Sequence, residues 1–131
     1  MGQSKPFRRT ALVVEDDPVQ RDMIALLLEE SDFTVIQCED AETASLALKA
    51  RRPSLLVTDI NLTGRMNGLE LAHLARMNDP MLRVVVISGN RPATALPDGV
   101  TFLAKTRLSC RADTGSHALI PSVPVLNGSA E

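Results

Sequence analysis

The sequence predicts a doubly wound α/β domain built on a five-stranded parallel sheet. Two observations carry that reading. Short apolar runs rich in β-branched residues recur along the chain, and amphipathic helical patterns fill most of the gaps between them. A length of 131 residues fits one compact domain and leaves no room for two. At 44% hydrophobic and 23% charged, the composition is that of a globular protein rather than a disordered one.

Each element has a local cause. Leu12, Val13 and Val14 form a first strand, short and apolar enough to be buried on both faces, and ending at Glu15-Asp16-Asp17. Asp17-Pro18 supplies an N-cap followed by proline at the first helical position. Val19, Met23, Leu26 and Leu27 then repeat at helical spacing up to Glu30. Phe33 to Cys38 reads as the second strand. Asp40 caps a helix through about Arg52, with Ala44, Ala47 and Leu48 inward and Pro53 as its stop. Leu55 to Val57 makes the third strand, ending at Thr58-Asp59. After a loop with Gly64 and Gly68, a helix runs from Leu69 to about Met77 with Leu71, Leu74 and Ala75 on one face, and Asp79-Pro80 breaks it. Val84 to Ile87 is the fourth strand, ending at Ser88-Gly89. Residues 90–99 contain Pro92, Pro97 and Gly99 and have room for a turn or two of helix at most. Val100 to Ala104 is the fifth strand, followed by Lys105.

Composition excludes several functions. A net charge of −2 lacks the basic excess of a nucleic-acid footprint. No apolar run is long enough for a transmembrane helix, and residues 1–10 are not followed by the apolar stretch of a secretory signal. Cys38 and Cys110 form no C-x-x-C pair and read as reduced thiols of a cytoplasmic protein. His73 and His117 have no partner at zinc-ligand spacing.

Ligands of such sheets bind beyond the carboxyl ends of the strands, where strand order reverses. The residues expected there are Glu15 and Asp16 after the first strand, Asp59 after the third, Ser88 after the fourth and Lys105 after the fifth. Crowded carboxylates repel unless a cation joins them, and Mg²⁺ suits one or two carboxylates, a carbonyl and waters. Lys105, one of three lysines, would ion-pair with Asp59 or contact a phosphoryl group. The set suits phosphoryl transfer with Asp59 as nucleophile and the Ser88 hydroxyl as a donor to the phosphoryl oxygens. Taken singly, each residue has a duller role as a cap, a turn or a solvated strand end. Their joint occurrence at four strand ends makes the case.

The segments LVVEDDP, TDINLTGRMNGLELA, VVVISG and FLAK resemble the receiver domain of two-component response regulators, from about Ala11 to Lys105. The resemblance implies a flavodoxin-like sheet in the order 2-1-3-4-5. It also implies an acidic pair at Glu15 and Asp16 and a phosphoacceptor at Asp59. Mg²⁺ would be held by Glu15, Asp16, Asp59 and the main-chain carbonyl of Asn61. Ser88 would follow the phosphoryl group, Phe102 would change rotamer with it, and Lys105 would complete the set. The implied partner is a sensor histidine kinase or a histidine phosphotransfer protein. The chain would be a phosphorylated signalling protein with slow self-dephosphorylation, not an enzyme.

Departures from the pattern are local. Thr63 and Thr106 stand where such domains usually have proline, and the loop to Gly68 is one residue longer. Lys105 follows Ser88 by 17 positions, several fewer than usual, so the fourth helix is expected to be shortened or absent. The 26 residues after Lys105 carry Gly115, Pro121 and Pro124 and do not read as the usual fifth helix. The expected division is an N-terminal extension at 1–10, a receiver core at 11–105 and an atypical C-terminal segment at 106–131, the last a possible homodimer contact. Two alternatives stand beside this reading. One is a receiver-like binding module that no longer switches. The other is a phosphatase similar to the haloacid dehalogenases, although Asn61 replaces the second aspartate of their D-x-D-x-T motif.

Overall fold

The computed structural model describes residues 9–90 and 95–105. The elements are β1 (Arg9–Val14), α1 (Pro18–Glu30), β2 (Phe33–Cys38), α2 (Ala41–Arg51), β3 (Leu55–Asp59), α3 (Gly68–Asn78), β4 (Arg83–Ser88) and β5 (Val100–Ala104). The strands form one sheet in the order β2-β1-β3-β4-β5, and every pairing is parallel. This is the doubly wound, flavodoxin-like sheet the sequence predicts. The described part of the β4–β5 connection, residues 89–90 and 95–99, holds no helix. The region where a fifth helix was in question lies outside the described residues.

Strand alternation divides the core into two layers. Ala11, Val13, Val57, Val85 and Ile87 pack with Ile24, Leu27 and Leu28 of α1 on one face. Leu12, Val14, Leu56, Val84 and Val86 pack with Ala44 of α2 and with Leu71 and Ala75 of α3 on the other. Residues 11–14 and 55–59 are buried throughout, because a parallel strand between two helical layers has no wet face.

The caps explain the helix starts. Asp17 Oδ1 accepts a hydrogen bond from the Val19 amide at 3.1 Å, with Pro18 leading the first turn. Asp40 Oδ1 accepts from the Thr43 amide at 2.8 Å, which holds its carboxyl below the usual carboxylate range. The α3 start is a full capping box. Asn67 Oδ1 accepts from the Glu70 amide at 2.9 Å, and Glu70 Oε1 accepts from the Asn67 amide at 2.9 Å.

The inward stripe of α1 differs from expectation. Val19 is 76% exposed and Leu26 57% exposed, while Ile24, Ala25, Leu27 and Leu28 are buried. The cause is the unbroken apolar run from Met23 to Leu28, which satisfies more than one helical phase. Packing on the sheet selects the phase through Ile24, Leu27 and Leu28. Leu74 of α3, expected inward, is half-buried at the margin of its layer, and Ala72 lies inside.

Arg76, near the end of α3, ties the layers at the opposite rim from the strand carboxyl ends. Its guanidinium donates to the main-chain oxygens of Leu82 (2.9 Å), Asp98 (3.0 Å) and Pro80. Gly99 adopts φ +82°, and any Cβ there would collide with the Arg76 guanidinium. One planar fork of donors thus ties α3 both to its own exit toward β4 and, through Asp98, to the β4–β5 connection.

The α1 phase is directly testable by urea unfolding. Ile24→Ala should cost about 2–5 kcal/mol as a buried large-to-small change. Leu26→Ala should stay within about 0.5 kcal/mol.

Candidate functional site

Sheet topology sets where the site lies. The chain leaves β1 toward β2 on one side and returns to place β3 on the other, so strand order reverses between β1 and β3. Val14 pairs with Thr58 in register, which sets Glu15 beside Asp59 at that reversal. Asp59 pairs with Ile87, and Ser88 with Ala104, so Ser88 and Lys105 line the same rim.

Backbone contacts fix the two central carboxylates. The Glu15 amide donates to the Cys38 carbonyl at 3.1 Å, and the Glu15 carbonyl accepts from Arg21 Nη1 at 2.8 Å. The Thr58 hydroxyl donates to the Asp59 carbonyl at 3.0 Å, and the amide after Asp59 donates to the Ile87 carbonyl at 2.9 Å. Gly68 closes the arrangement. A side chain at that position would collide with the Asp59 carbonyl oxygen, so only glycine lets α3 start against the end of β3. The loop between them is held from outside, where Glu42 Oε2 accepts from the Arg65 amide at 3.1 Å.

The side chains converge. Glu15 and Asp59 are almost fully buried, Asp16 is half-buried, and one carboxylate oxygen of each lies within 4.8 Å of the others. Lys105 Nζ donates to Asp59 Oδ2 at 3.1 Å and lies 3.7 Å from Glu15 Oε1. Asp59 Oδ1 accepts from the Asn61 amide at 3.1 Å. The Asp17 amide donates to Glu15 Oε2 at 3.1 Å, whereas Glu15 Oε1 is buried with no hydrogen-bond partner. The structure therefore brings together Glu15, Asp16, Asp59 and Lys105, with Asn61 contributing main chain. Ser88 is buried at the end of β4, where its Oγ accepts from the Asn90 amide at 3.3 Å. Phe102, on β5, is half-buried against the α2/α3 layer.

Electrostatics follow from this packing. Burial, the charge of Asp59 and a hydrogen bond with Asp16 push the Glu15 carboxyl up to about 7, against the pull of the Asp17 amide and Lys105. Burial works against the Lys105 ammonium, but its bond to Asp59 and the charges of Asp59 and Glu15 outweigh it and raise its pKa. Three acidic groups facing one ammonium leave the cluster short of positive charge. Hard oxygen donors and an orphaned carboxylate oxygen fit a divalent cation such as Mg²⁺.

Arg21, Glu42, Thr58 and Gly68 have site roles that the sequence reading did not assign. The first three act through contacts between distant segments or with main chain, which no local pattern announces. Gly68 carried a signal as a glycine directly behind a capping asparagine, but it read as a loop residue.

Two outcomes test the geometry. The folded-state pKa of Glu15 lies above its ordinary value of 4.5, so stability from its protonated form is fully present below about 4.5. That stability is lost as pH rises through about 7. Melting in EDTA should therefore show a temperature midpoint falling across this window, and Glu15→Gln should flatten the fall. Gly68→Ala should destabilise by about 2 kcal/mol or more, well above the usual cost of a surface change; urea titration reads it.

A family model of the response regulator receiver domain matches residues 11–109. The response regulator receiver protein CpdR of Brucella abortus is 33% identical over 87 residues, covering 66% of this chain and 72% of that protein. The nitrogen assimilation regulatory protein NtrX of Azorhizobium caulinodans is 38% identical over 80 residues, 60% of this chain. The chain spans 18% of NtrX and 33% of the Mycobacterium tuberculosis regulator TcrX. Among solved structures, a response regulator receiver protein of Sinorhizobium medicae superposes with a TM-score of 0.69 at 24% identity, covering 82% of this chain and 93% of that one. With its sheet order, its acidic rim and the family-model match over residues 11–109, the chain belongs to the response regulator receiver-domain family.

Proposed function

We propose that this chain is the phosphoacceptor of a two-component phosphorelay. It takes a phosphoryl group onto Asp59 from a histidine kinase or a histidine phosphotransfer protein and signals by protein contact. The observation that carries the proposal is the state of Asp59. Its carboxylate is buried at the strand reversal, with one oxygen on the Asn61 amide and the other on Lys105.

In the proposed reaction an Asp59 oxygen attacks phosphorus, the O–P bond forms, and the P–N bond of the donor phosphohistidine breaks to release imidazole. The Asn61 amide keeps the other carboxyl oxygen oriented. Lys105, already at Asp59, follows the incoming negative charge onto the phosphoryl oxygens. Ser88 accepts from the Asn90 amide, so its own proton is available to a phosphoryl oxygen. Phe102, on the edge strand β5 that leads to Lys105 and two pairing steps before the Ser88–Ala104 pair, is the side chain proposed to respond to that bond. Glu15, Asp16, Asp59 and the Asn61 carbonyl would hold Mg²⁺, which when bound would neutralise charge building on the equatorial oxygens. Asn61 offers no carboxylic acid to protonate a leaving alcohol. This favours a phosphorylated signalling protein with slow self-dephosphorylation over a phosphatase of many turnovers. A cytoplasmic setting accords with the buried, unpaired Cys38, whose thiol is pushed up by burial and the charge of Asp40.

Intact mass after incubation with acetyl phosphate and Mg²⁺ tests the proposal. One phosphoryl group should be gained by the wild type and by neither Asp59→Asn nor an EDTA-treated sample. A folded wild type that gains nothing would favour the receiver-like binding module that no longer switches.

A further inference from the structure

The outer face of α3 points away from the sheet and has a pattern the phosphorelay reading does not use. Read backwards from Met77 to Met66, the segment MNGLELAHLARM keeps methionine at both ends and leucine at the fourth place, while the other four mirror pairs differ. Met66 mirrors Met77, Leu69 mirrors Leu74, and Glu70 mirrors His73. The mirror point lies between Leu71 and Ala72.

The structure puts this pattern on one surface. Leu71, Ala72 and Ala75 face the core, while Glu70, His73 and Met77 are exposed and Met66, Leu69 and Leu74 are half-buried. These spacings run along one side of a helix. Met66, Leu69, Leu74, Ala95 and Pro97 line an open groove of about 720 Å³ over this face, with Glu42 among its polar lining residues. Met77 is 67% exposed at the far end of the helix. Long unbranched side chains held in water next to an open apolar groove are costly for a lone domain.

An isologous two-fold contact demands a patch complementary to itself. A helix laid antiparallel on its own copy sets each residue near its mirror mate. Here that brings Met66 toward Met77 of the second copy and Glu70 toward its His73, with methionines at both ends and a carboxylate facing an imidazole N–H near the centre. Glu70 spends only Oε1 on the capping box, so Oε2 remains for such a pairing. We infer that the outer face of α3 is a homodimer contact, in which two copies pair their α3 helices antiparallel. One helix face is smaller than a standard stable interface, so the dimer is weak, with a dissociation constant of roughly 10 μM to 1 mM.

Sedimentation equilibrium of the full chain at increasing concentration tests it, with circular dichroism confirming that each variant is folded. The wild type should show reversible dimerisation. Met77→Glu and His73→Glu should each weaken it about tenfold or more, a change of about 1.4 kcal/mol, whereas His73→Lys should hold or tighten it. In a Cys110→Ser background, a mixture of Met66→Cys and Met77→Cys chains should form a mixed disulfide faster than either chain pairs with its own kind. A monomer at all concentrations would overturn the inference. So would a dimer indifferent to both Met77→Glu and His73→Glu, or cysteine pairing without preference for the mixed species.

Discussion

Negative charge that cannot reach water is the constraint on which this structure turns. Glu15 and Asp59 are each withdrawn from solvent at the ends of adjacent strands, and only Lys105, among the described residues, meets them with a full positive charge. Isolated buried carboxylates would neutralise or drive unfolding. The ammonium, the Asn61 and Asp17 amides and the strand ladder together keep the cluster tolerable without completing it. An incomplete cluster is a reactive one. Its shortage of positive charge is what a cation would relieve, and Lys105 is placed for the anion proposed to arrive on Asp59.

The surrounding architecture holds that tension in place. Parallel strands deliver their last residues to one rim, and the reversal between β1 and β3 opens the space for them. The helices anchor from their capped ends, with Asp17, Asp40 and Asn67 each holding an amide of the first turn. At the other rim Arg76 joins α3 to the α3–β4 loop through the Pro80 and Leu82 carbonyls and to the β4–β5 connection through that of Asp98.

Much of this was legible in the sequence because strand ends and chemistry coincide. The β2 and β5 boundaries, the caps at Asp17 and Asp40, and the ion pair between Lys105 and Asp59 all follow from residue type at a predictable place. What was not legible has a common cause, which is that contacts between distant segments leave no local trace. The phase of α1 was ambiguous because Met23 to Leu28 is apolar on every side, so only the sheet could choose. Arg21 reaching the Glu15 carbonyl and Glu42 reaching the Arg65 amide are likewise tertiary facts about residues that read as solvated surface.

Gly68 shows how misleading a functional map of such a site can become. It has no side-chain atom to offer a metal or a phosphoryl group, yet the Asp59 carbonyl occupies the space that any β-carbon would need. A saturation mutagenesis screen would score position 68 alongside Asp59 as intolerant of every replacement. Neighbours with working side chains, such as Ser88 or Lys105, could rank below it. Intolerance there would record an empty volume, and a reader ranking residues by lost signal alone would credit chemistry to a position whose contribution is to stay out of the way.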